Sequence, residues 1–567
     1  MTKTVAIGLD RFSDIIEGNY FYIDKTCFIK EWWENGDKAT LITRPRRFGK
    51  TLTMSMVEQF FSVKYAGCVK LFQGLKIWEG EKYREIQGTY PVISLSFAGI
   101  KENSYVKTRQ KICQLLVNLY ADHRFLLEGD LLSEVEKDFF YKVTADMDDV
   151  TASMAIYQLS RYLSNYYAKK VIILLDEYDT PMQEAYINGY WDEVIAFTRS
   201  FLNNTFKTNP YLERAIMTGI TRVSKESVFS DLNNLEVVTA TSNKYENIFG
   251  FTEEEVLKAL SEYGLQDCSE DVRKWYDGFK FGNYDHIYNP WSIVNFLDKK
   301  KFSAYWAHTS SNRLVERLIR INGADVKIIM EDLLTGNVFH AAIDEEIIYS
   351  QLDHDVDAVW SLFLASGYIK TEKIEKNRRG IEEYTFSLTN LEARCVFDEI
   401  VKGWFSYKEW KYNKFTEALL SDNKEYMNEY LNAIALETFS SFDTGMKPSK
   451  FKQPENFYHG FVLGLIADLR EIYDITSNRE SGNGRYDVMM EPKDPELDDG
   501  IVLEFKVQET TEKSLEDTVR SAIRQIIDKK YAIALEAKGV PKDRIRIYGF
   551  AFRGKEVYVD GGSVFDG

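Results

Sequence analysis

Up to residue 240 the chain alternates between short apolar runs and longer stretches that read as helices. The runs lie at Ala39–Thr43, Val92–Phe97, Val171–Leu175 and Ala215–Thr218, with helix-like segments such as Thr51–Val63 and Lys107–Tyr120 between them. Val171–Leu175 is apolar without a break, as expected for a central parallel strand covered on both faces. The alternation predicts an α/β fold with a mostly parallel sheet. From Gly250 the pattern turns helical: Thr252 precedes Glu253-Glu254-Glu255 and then Val256, the signature of a capped helix start. Residues 325–410 read as short helices plus a hairpin around Asn377-Arg378-Arg379-Gly380, a winged-helix-like arrangement, and 411–450 as a helix pair. A polar, proline-bearing stretch at Met446–Pro454 marks a boundary. Beyond it the pattern predicts a long helix, strands near 485–491 and 500–507, a helix near 514–529, and closing strands near 545–559.

Composition narrows this picture modestly. A chain of 567 residues exceeds what one core supports. Its 44 % hydrophobic, 28 % charged and 14 % aromatic residues suit filled globular cores and exclude long disordered tracts. There is no apolar run of about 18 residues to span a membrane. Asp10 and Arg11 interrupt any signal-peptide core at the start. Five scattered cysteines without a CxxC pair point to reduced thiols in a cytoplasmic protein, and six dispersed histidines show no HExxH spacing. The net charge of −17 argues against non-specific coating of nucleic acid. It is compatible with a nuclease, whose metal sites are themselves acidic.

The first chemistry-bearing motif follows Leu41-Ile42-Thr43. Arg44-Pro45-Arg46-Arg47-Phe48-Gly49-Lys50-Thr51 leads into a helix-forming segment, so strand, loop, Gly-Lys-Thr and helix occur in the order of a Walker A-type phosphate loop. Loop amides and the helix N-terminus would meet phosphates, Lys50 would neutralise them, and Thr51 would ligate Mg2+. Arg44 stands where the general pattern has glycine, which implies a modified loop. Asp176-Glu177 ends the apolar run Val171–Leu175; Asp176 would hold the Mg2+ shell and Glu177 would orient the attacking water. Thr218, closing the next strand, would sense the terminal phosphate with Arg222 beyond it, or else mark an ordinary strand-end turn.

These segments resemble the bacterial AAA-ATPase-like family. The likeness rests on Tyr22–Thr26, Arg44–Thr51, Leu175–Pro181, Thr218–Val223, Trp275–Gly278 and Tyr288–Ser292, over roughly residues 5–310. Arg44 agrees with that family's own loop. The resemblance implies an ATPase with ATP and Mg2+ as cofactors. The nucleotide-binding set is then Arg46, Arg47, Phe48, Gly49, Lys50, Thr51, Asp176, Thr218 and Arg222, with Glu177 catalytic. A homo-oligomer is left open, since Arg222 would serve its own site or a neighbour's. Trp275–Gly278 and Tyr288–Ser292 are expected to pack a helical lid.

A second candidate site lies near the C-terminus. Asp487 precedes Ile501–Val507, in which Glu504 and Lys506, two apart, share one strand face. Asp487 and Glu504 would ligate Mg2+, and Lys506 would position or help deprotonate the water that attacks a phosphodiester. Asp…Glu-x-Lys alone is a common pattern of solvated strands, but apolar flanks suggest a buried strand on which unpaired charge is costly. Phe457–Gly460, Ser477–Gly482 and Gly484–Asp487 carry a resemblance to the PD-(D/E)xK nuclease superfamily over roughly 455–555. By that resemblance Glu455 or Glu480 adds a carboxylate and Gln525 supports the site.

The resulting expectation is a P-loop NTPase core at 1–248, a helical lid at 249–324, a helical and winged-helix-like connector at 325–450, and a restriction-endonuclease-like α/β domain at 451–567. The leading function is an ATP-regulated, Mg2+-dependent nuclease acting on DNA. Its rivals are a nucleotide-dependent switch that binds a protein or nucleic acid without cutting, and a scaffold that binds no nucleotide.

Overall fold

The computed structural model describes residues 2–223 and 232–306 without a break, most of 336–404, 413–438 and 472–563, and scattered positions elsewhere. The chain divides into two compact units, residues 1–318 with 336–396, and residues 319–335 with 397–567.

The first unit is built on a five-stranded sheet of β1 (Ala39–Thr43), β2 (Val92–Ser96), β3 (Val171–Asp176), β4 (Leu212–Gly219) and β6 (Leu235–Val238). β5 is the short Arg222–Val223 between the last two. Strand order is β2-β3-β4-β1-β6, and every pairing is parallel. All positions of β1 and β3 are buried, which explains their unbroken apolar runs, whereas edge strand β2 alternates outward at Ser94 and Ser96. The helix Lys50–Phe61 covers one face with Met54, Val57, Phe60 and Phe61, packed against Ile42, Leu174 and Ile216. Because β1 lies between β4 and β6 while the chain next forms the distant β2, the crevice where the strand order reverses opens at the C-terminal end of β1.

A smaller sheet of β7 (Phe251–Thr252), β8 (Phe279–Phe281) and β9 (Tyr284–Tyr288) follows, with the helices Glu253–Glu262, Ser269–Tyr276 and Pro290–Lys299 sharing a core of Val256, Leu260, Val272, Tyr276, Ile293 and Phe296. Thr252 caps the first of these helices: its hydroxyl accepts from Glu255 N at 3.3 Å, and the Glu255 carboxylate accepts from Thr252 N at 2.9 Å. Next come β10 (Phe339–Ala341), β11 (Glu346–Ile347), β12 (Ile369–Lys376) and β13 (Glu382–Leu388). β10, β13 and β12 form an antiparallel sheet behind the helix Val356–Ser366, the winged arrangement expected, while β11 pairs with β5. The hairpin turn 377–380 itself lies outside the described residues.

The second unit holds β14 (Tyr473–Ser477), β15 (Glu480–Ser481), β16 (Gly484–Arg485), β17 (Val488–Pro492), β18 (Gly500–Val507), β19 (Ile545–Arg553) and β20 (Glu556–Ser563). Its main sheet runs β14-β17-β18-β19-β20, with β18 and β19 parallel and the other pairs antiparallel. Period-two alternation splits the burial. Leu503, Phe505, Tyr548 and Phe550 join Phe415, Leu419, Met427 and Leu431 of the helices Asn413–Leu420 and Lys424–Thr438 on one face. Met489, Val502 and Ile547 join Ile526 of the helix Leu515–Asp528 on the other. The helix pair expected in the connector therefore packs in the same unit as the C-terminal sheet. The long helix expected after residue 455 falls largely outside the described residues.

Candidate functional site

The loop after β1 reaches the helix Lys50–Phe61 through two left-handed residues, Arg47 at φ 66° and Gly49 at φ 78°. A side chain is strained in this region, so Gly49 relaxes one of the two turns and Arg47 stores the strain of the other. Lys50 is buried, and its ammonium donates to the carbonyls of Arg44 and Pro45 at 2.8 Å each. Burial lowers its pKa, against the opposing charges of Glu177, Asp176 and Asp179. A buried ammonium held by neutral carbonyls favours an incoming anion. Thr51 Oγ1 donates to Asp176 Oδ2 at 2.7 Å, and the Thr218 hydroxyl donates to Asp176 Oδ1. Burial raises the pKa of Asp176, and those two hydrogen bonds oppose the rise. Glu177, itself left-handed at φ 51°, donates its N–H to Thr218 Oγ1 at 3.2 Å and accepts from Thr180 Oγ1 at 3.1 Å.

A cavity of about 410 Å3 runs along this loop, lined by Arg46–Thr53 and Glu177 and also by Ile7–Leu9, Tyr22, Lys25 and Trp291. Of the predicted set, Arg46, Arg47, Phe48, Gly49, Lys50, Thr51 and Glu177 border it, and Asp176 and Thr218 sit directly behind Thr51 and Glu177. Phe48 turns its ring inward, against Phe279 and Phe281 at 4.8 and 5.5 Å, so only its backbone is free to serve a nucleotide. Arg222 is not brought to this cavity. The chain bends away after Gly219 into β5, and Arg222 lines a separate cavity of about 20 Å3 with Thr43, Thr239 and Ser361.

Arg44 is a structural residue. Only 1 % exposed, it donates from Nη1 to the carbonyls of Thr43 at 2.9 Å and Thr239 at 2.7 Å and lies 4.3 Å over the Phe281 ring. It fastens the loop from beneath where a glycine would leave it mobile. Above the loop, Arg47 stacks 4.3 Å over Trp291, and Asn289 caps the helix Pro290–Lys299 while donating to the Arg46 carbonyl at 3.3 Å. Ser292 donates to the buried Glu392 at 2.8 Å. Tyr276 is buried and Asp277 accepts from His286 at 2.7 Å. The two aromatic motifs thus pack the lid, as expected, and Trp291 also reaches the cavity.

In the second unit, Glu504 is 3 % exposed, on the strand face that meets the helix Leu515–Asp528. Gln525 of that helix donates to its Oε1, and Oε2 has no hydrogen-bond partner among the described residues. Glu504 pairs in register with Gly549, and a Cβ there would meet the Val519 carbonyl at 2.8 Å. The missing side chain lets the helix approach until Gln525 reaches the carboxylate. Asp487 accepts from Phe505 N at 2.8 Å, which seats it beside Glu504. Burial, and then the Asp487 charge, push the Glu504 pKa up to about 8. Lys506 follows on the same face, half-buried. Among the described residues no three His, Cys, Asp or Glu side chains cluster as a metal cage. The donor set here is two carboxylates, one with an orphaned buried oxygen; that suits a hard divalent cation completing its shell with water. Glu480 lies on β15 opposite Arg485, and Glu455 is outside the described residues. Tyr531 is buried among Ile526, Leu535 and Ile547.

Comparison with known proteins matches residues 6–229 to the family of predicted AAA-ATPases and residues 453–561 to the PD-(D/E)XK nuclease superfamily. The chain is thus similar to predicted AAA-ATPases in its N-terminal region and to PD-(D/E)XK nucleases in its C-terminal region. It is also similar to a protein of Azotobacter chroococcum mcd 1 named for its place in the vnfD 5′ region, at 25 % identity over 97 % of this chain and 96 % of that one. Both matched regions are of hydrolase type, which indicates enzymatic activity in a chain with a nucleotide-binding and a nuclease-like region.

Two residues of the ATPase region escaped the sequence reading. Asp179 Oδ2 accepts from Ile220 N, Thr221 N and Thr221 Oγ1 at 3.0, 2.9 and 2.9 Å, binding the end of β4 to the end of β3. Gln183 donates to the same oxygen at 2.9 Å. Their four-residue separation at a helix start was the available signal.

Proposed function

We propose that the ATPase region binds and hydrolyses ATP with Mg2+, and that its nucleotide state governs Mg2+-dependent hydrolysis of phosphodiester bonds, in DNA, by the nuclease region. In the first site Lys50 and the loop amides hold the phosphates, Thr51 and Asp176 are the Mg2+ side, and Glu177 orients the attacking water. Thr218 donates to the Asp176 carboxylate and accepts from the Glu177 backbone N–H, which ties both residues to the end of β4.

In the second site Asp487 and Glu504 would hold the cation, which when bound supplies charge stabilisation at the scissile phosphate. Lys506 donates a hydrogen bond to the attacking water and so aims its lone pair at phosphorus. The water oxygen bonds to phosphorus and gives up a proton to solvent, the bond to one ester oxygen breaks, and that oxygen takes a proton from solvent and leaves as a hydroxyl. Gln525 holds Glu504 in place. The observation that carries the reading is the buried Glu504 with an orphaned oxygen beside Asp487. A carboxylate left so in a sheet core is costly unless it serves a ligand. Plasmid or oligonucleotide cleavage with Mg2+ tests it: Asp487→Ala should abolish cutting, and equal cutting by wild type and variant would remove the nuclease reading. Nucleotide-dependent binding of DNA without any cutting would favour a switch instead.

A further inference from the structure

We propose that Arg46 recognises the terminal phosphate of the bound triphosphate, and that Gln183 is the positioning residue that presents it. This rests on the ATP-binding reading above. A guanidinium offers five N–H donors in a planar fork. In Arg46, half-buried at the cavity wall, a single side-chain hydrogen bond is made among the described residues, from Nη2 to Gln183 Oε1 at 3.4 Å. It borders the same cavity as Lys50, Thr51 and Glu177, and its charge is felt at Lys50.

The other loop arginines are committed elsewhere. Arg44 is turned down onto the Thr43 and Thr239 carbonyls, and Arg47 stacks on Trp291. Arg222, the sequence-based choice for this role, lines another cavity. Arg46 is therefore the loop arginine that borders the phosphate-loop cavity with no carboxylate or ring holding it among the described residues; with Gln183 it also lines a neighbouring cavity of about 40 Å3.

Its holder is fixed on the far side. Gln183 Nε2 donates to Asp179 Oδ2 at 2.9 Å, which turns Oε1 toward Arg46, and Asp179 is itself tied to Ile220 and Thr221. A neutral amide at 3.4 Å orients the guanidinium without neutralising it, so the charge stays available to phosphate. During hydrolysis the water oxygen bonds to the terminal phosphorus, and the bond to the bridging oxygen breaks. The electron pair leaves with the diphosphate. Arg46 transfers no proton and acts by its charge on the terminal oxygens.

The test uses the full chain with Mg2+, measuring affinities for ADP and for a non-hydrolysable ATP analogue in wild type, Arg46→Ala, Arg46→Lys, Gln183→Ala and Gln183→Glu, together with kcat and KM for ATP. Arg46→Ala should lose about tenfold or more of the preference for triphosphate over diphosphate, with ADP affinity within about twofold of wild type. Arg46→Lys should recover part of it. Gln183→Ala should lower kcat about tenfold with little change in KM, and Gln183→Glu, which neutralises the guanidinium and sets a second carboxylate against Asp179, should lose more. Unchanged preference in Arg46→Ala, or equal loss of ADP and analogue, overturns the inference. If the wild type binds neither nucleotide, the ATP reading falls with it. If Lys50→Ala abolishes binding while Arg46→Ala behaves as wild type, only the present inference falls.

Discussion

Three arginines in four positions of one loop do different jobs, and burial separates them. Arg44 at 1 % exposure is bonded to carbonyls and stacked on Phe281. Arg44→Ala should therefore cost about 2–4 kcal/mol of stability in a thermal or denaturant melt, through lost packing and orphaned carbonyls. Arg46→Ala, two positions on and half-buried, should leave the melt within about 0.5 kcal/mol of wild type. The sequence could not make this distinction, because the partners of Arg44, Thr239 and Phe281, come from distant parts of the chain. The meeting of Lys50, Thr51 and Asp176 was legible because a Gly-Lys-Thr follows one apolar run and an acid ends another, which parallel strands bring to one edge of the sheet. Arg222 is near Thr218 in sequence, but β5 takes it to another cavity of its own chain, which leaves its service to a neighbour's site as the open half of that expectation.

Glu504 gives the residue scale a pH signature. Its carboxyl is raised to about 8 in the folded chain, from an ordinary value near 4.5. The folded state thus holds a proton that the unfolded state releases. Metal-free stability should be full below the ordinary value and fall as pH rises through about 8. Glu504→Gln should flatten that loss and be more stable than wild type at alkaline pH, by on the order of 2 kcal/mol, in melts with EDTA. Metal competes with the same proton, so Mg2+ activation of cleavage should strengthen across that interval. A pH-independent melt in both proteins would contradict the assignment.

At the scale of elements, the sheets were the legible part. β1 and β18 fall where apolar runs placed them, and the helix Leu515–Asp528 within a residue of expectation at each end. Both strands are buried along most of their length, so periodicity alone defines them. What the pattern did not show is how close that helix sits to β19. The approach depends on Gly549, whose lack of a side chain has no periodic signature. Gly549→Ala should push the helix from the sheet, costing about 1–3 kcal/mol in stability. It should also weaken the Gln525–Glu504 contact, so cleavage would fall more than the melting temperature suggests. Wild-type cleavage and stability in this variant would show that the approach is dispensable. The helix pair Asn413–Leu420 and Lys424–Thr438 was recognised as helical but assigned to a connector; its buried Phe415, Leu419 and Met427 pack on the C-terminal sheet, a pairing that helix periodicity cannot specify.

For the whole molecule, the proposal that one site governs the other starts from two acidic sites on one chain. The ATPase-like region has the phosphate loop and its lid, and the nuclease-like region has a carboxylate pair with a lysine. The two regions occupy separate compact units, so each can be disabled without touching the other's core. The most direct measurement is the Mg2+-dependent cleavage rate of plasmid DNA by the full chain, with and without ATP, in wild type, Lys50→Ala and Asp487→Ala. The account predicts a wild-type rate that changes with ATP, a Lys50→Ala rate that ATP leaves unaltered, and no cleavage by Asp487→Ala. Cleavage by Asp487→Ala at the wild-type rate, or an undiminished ATP response in Lys50→Ala, would contradict it.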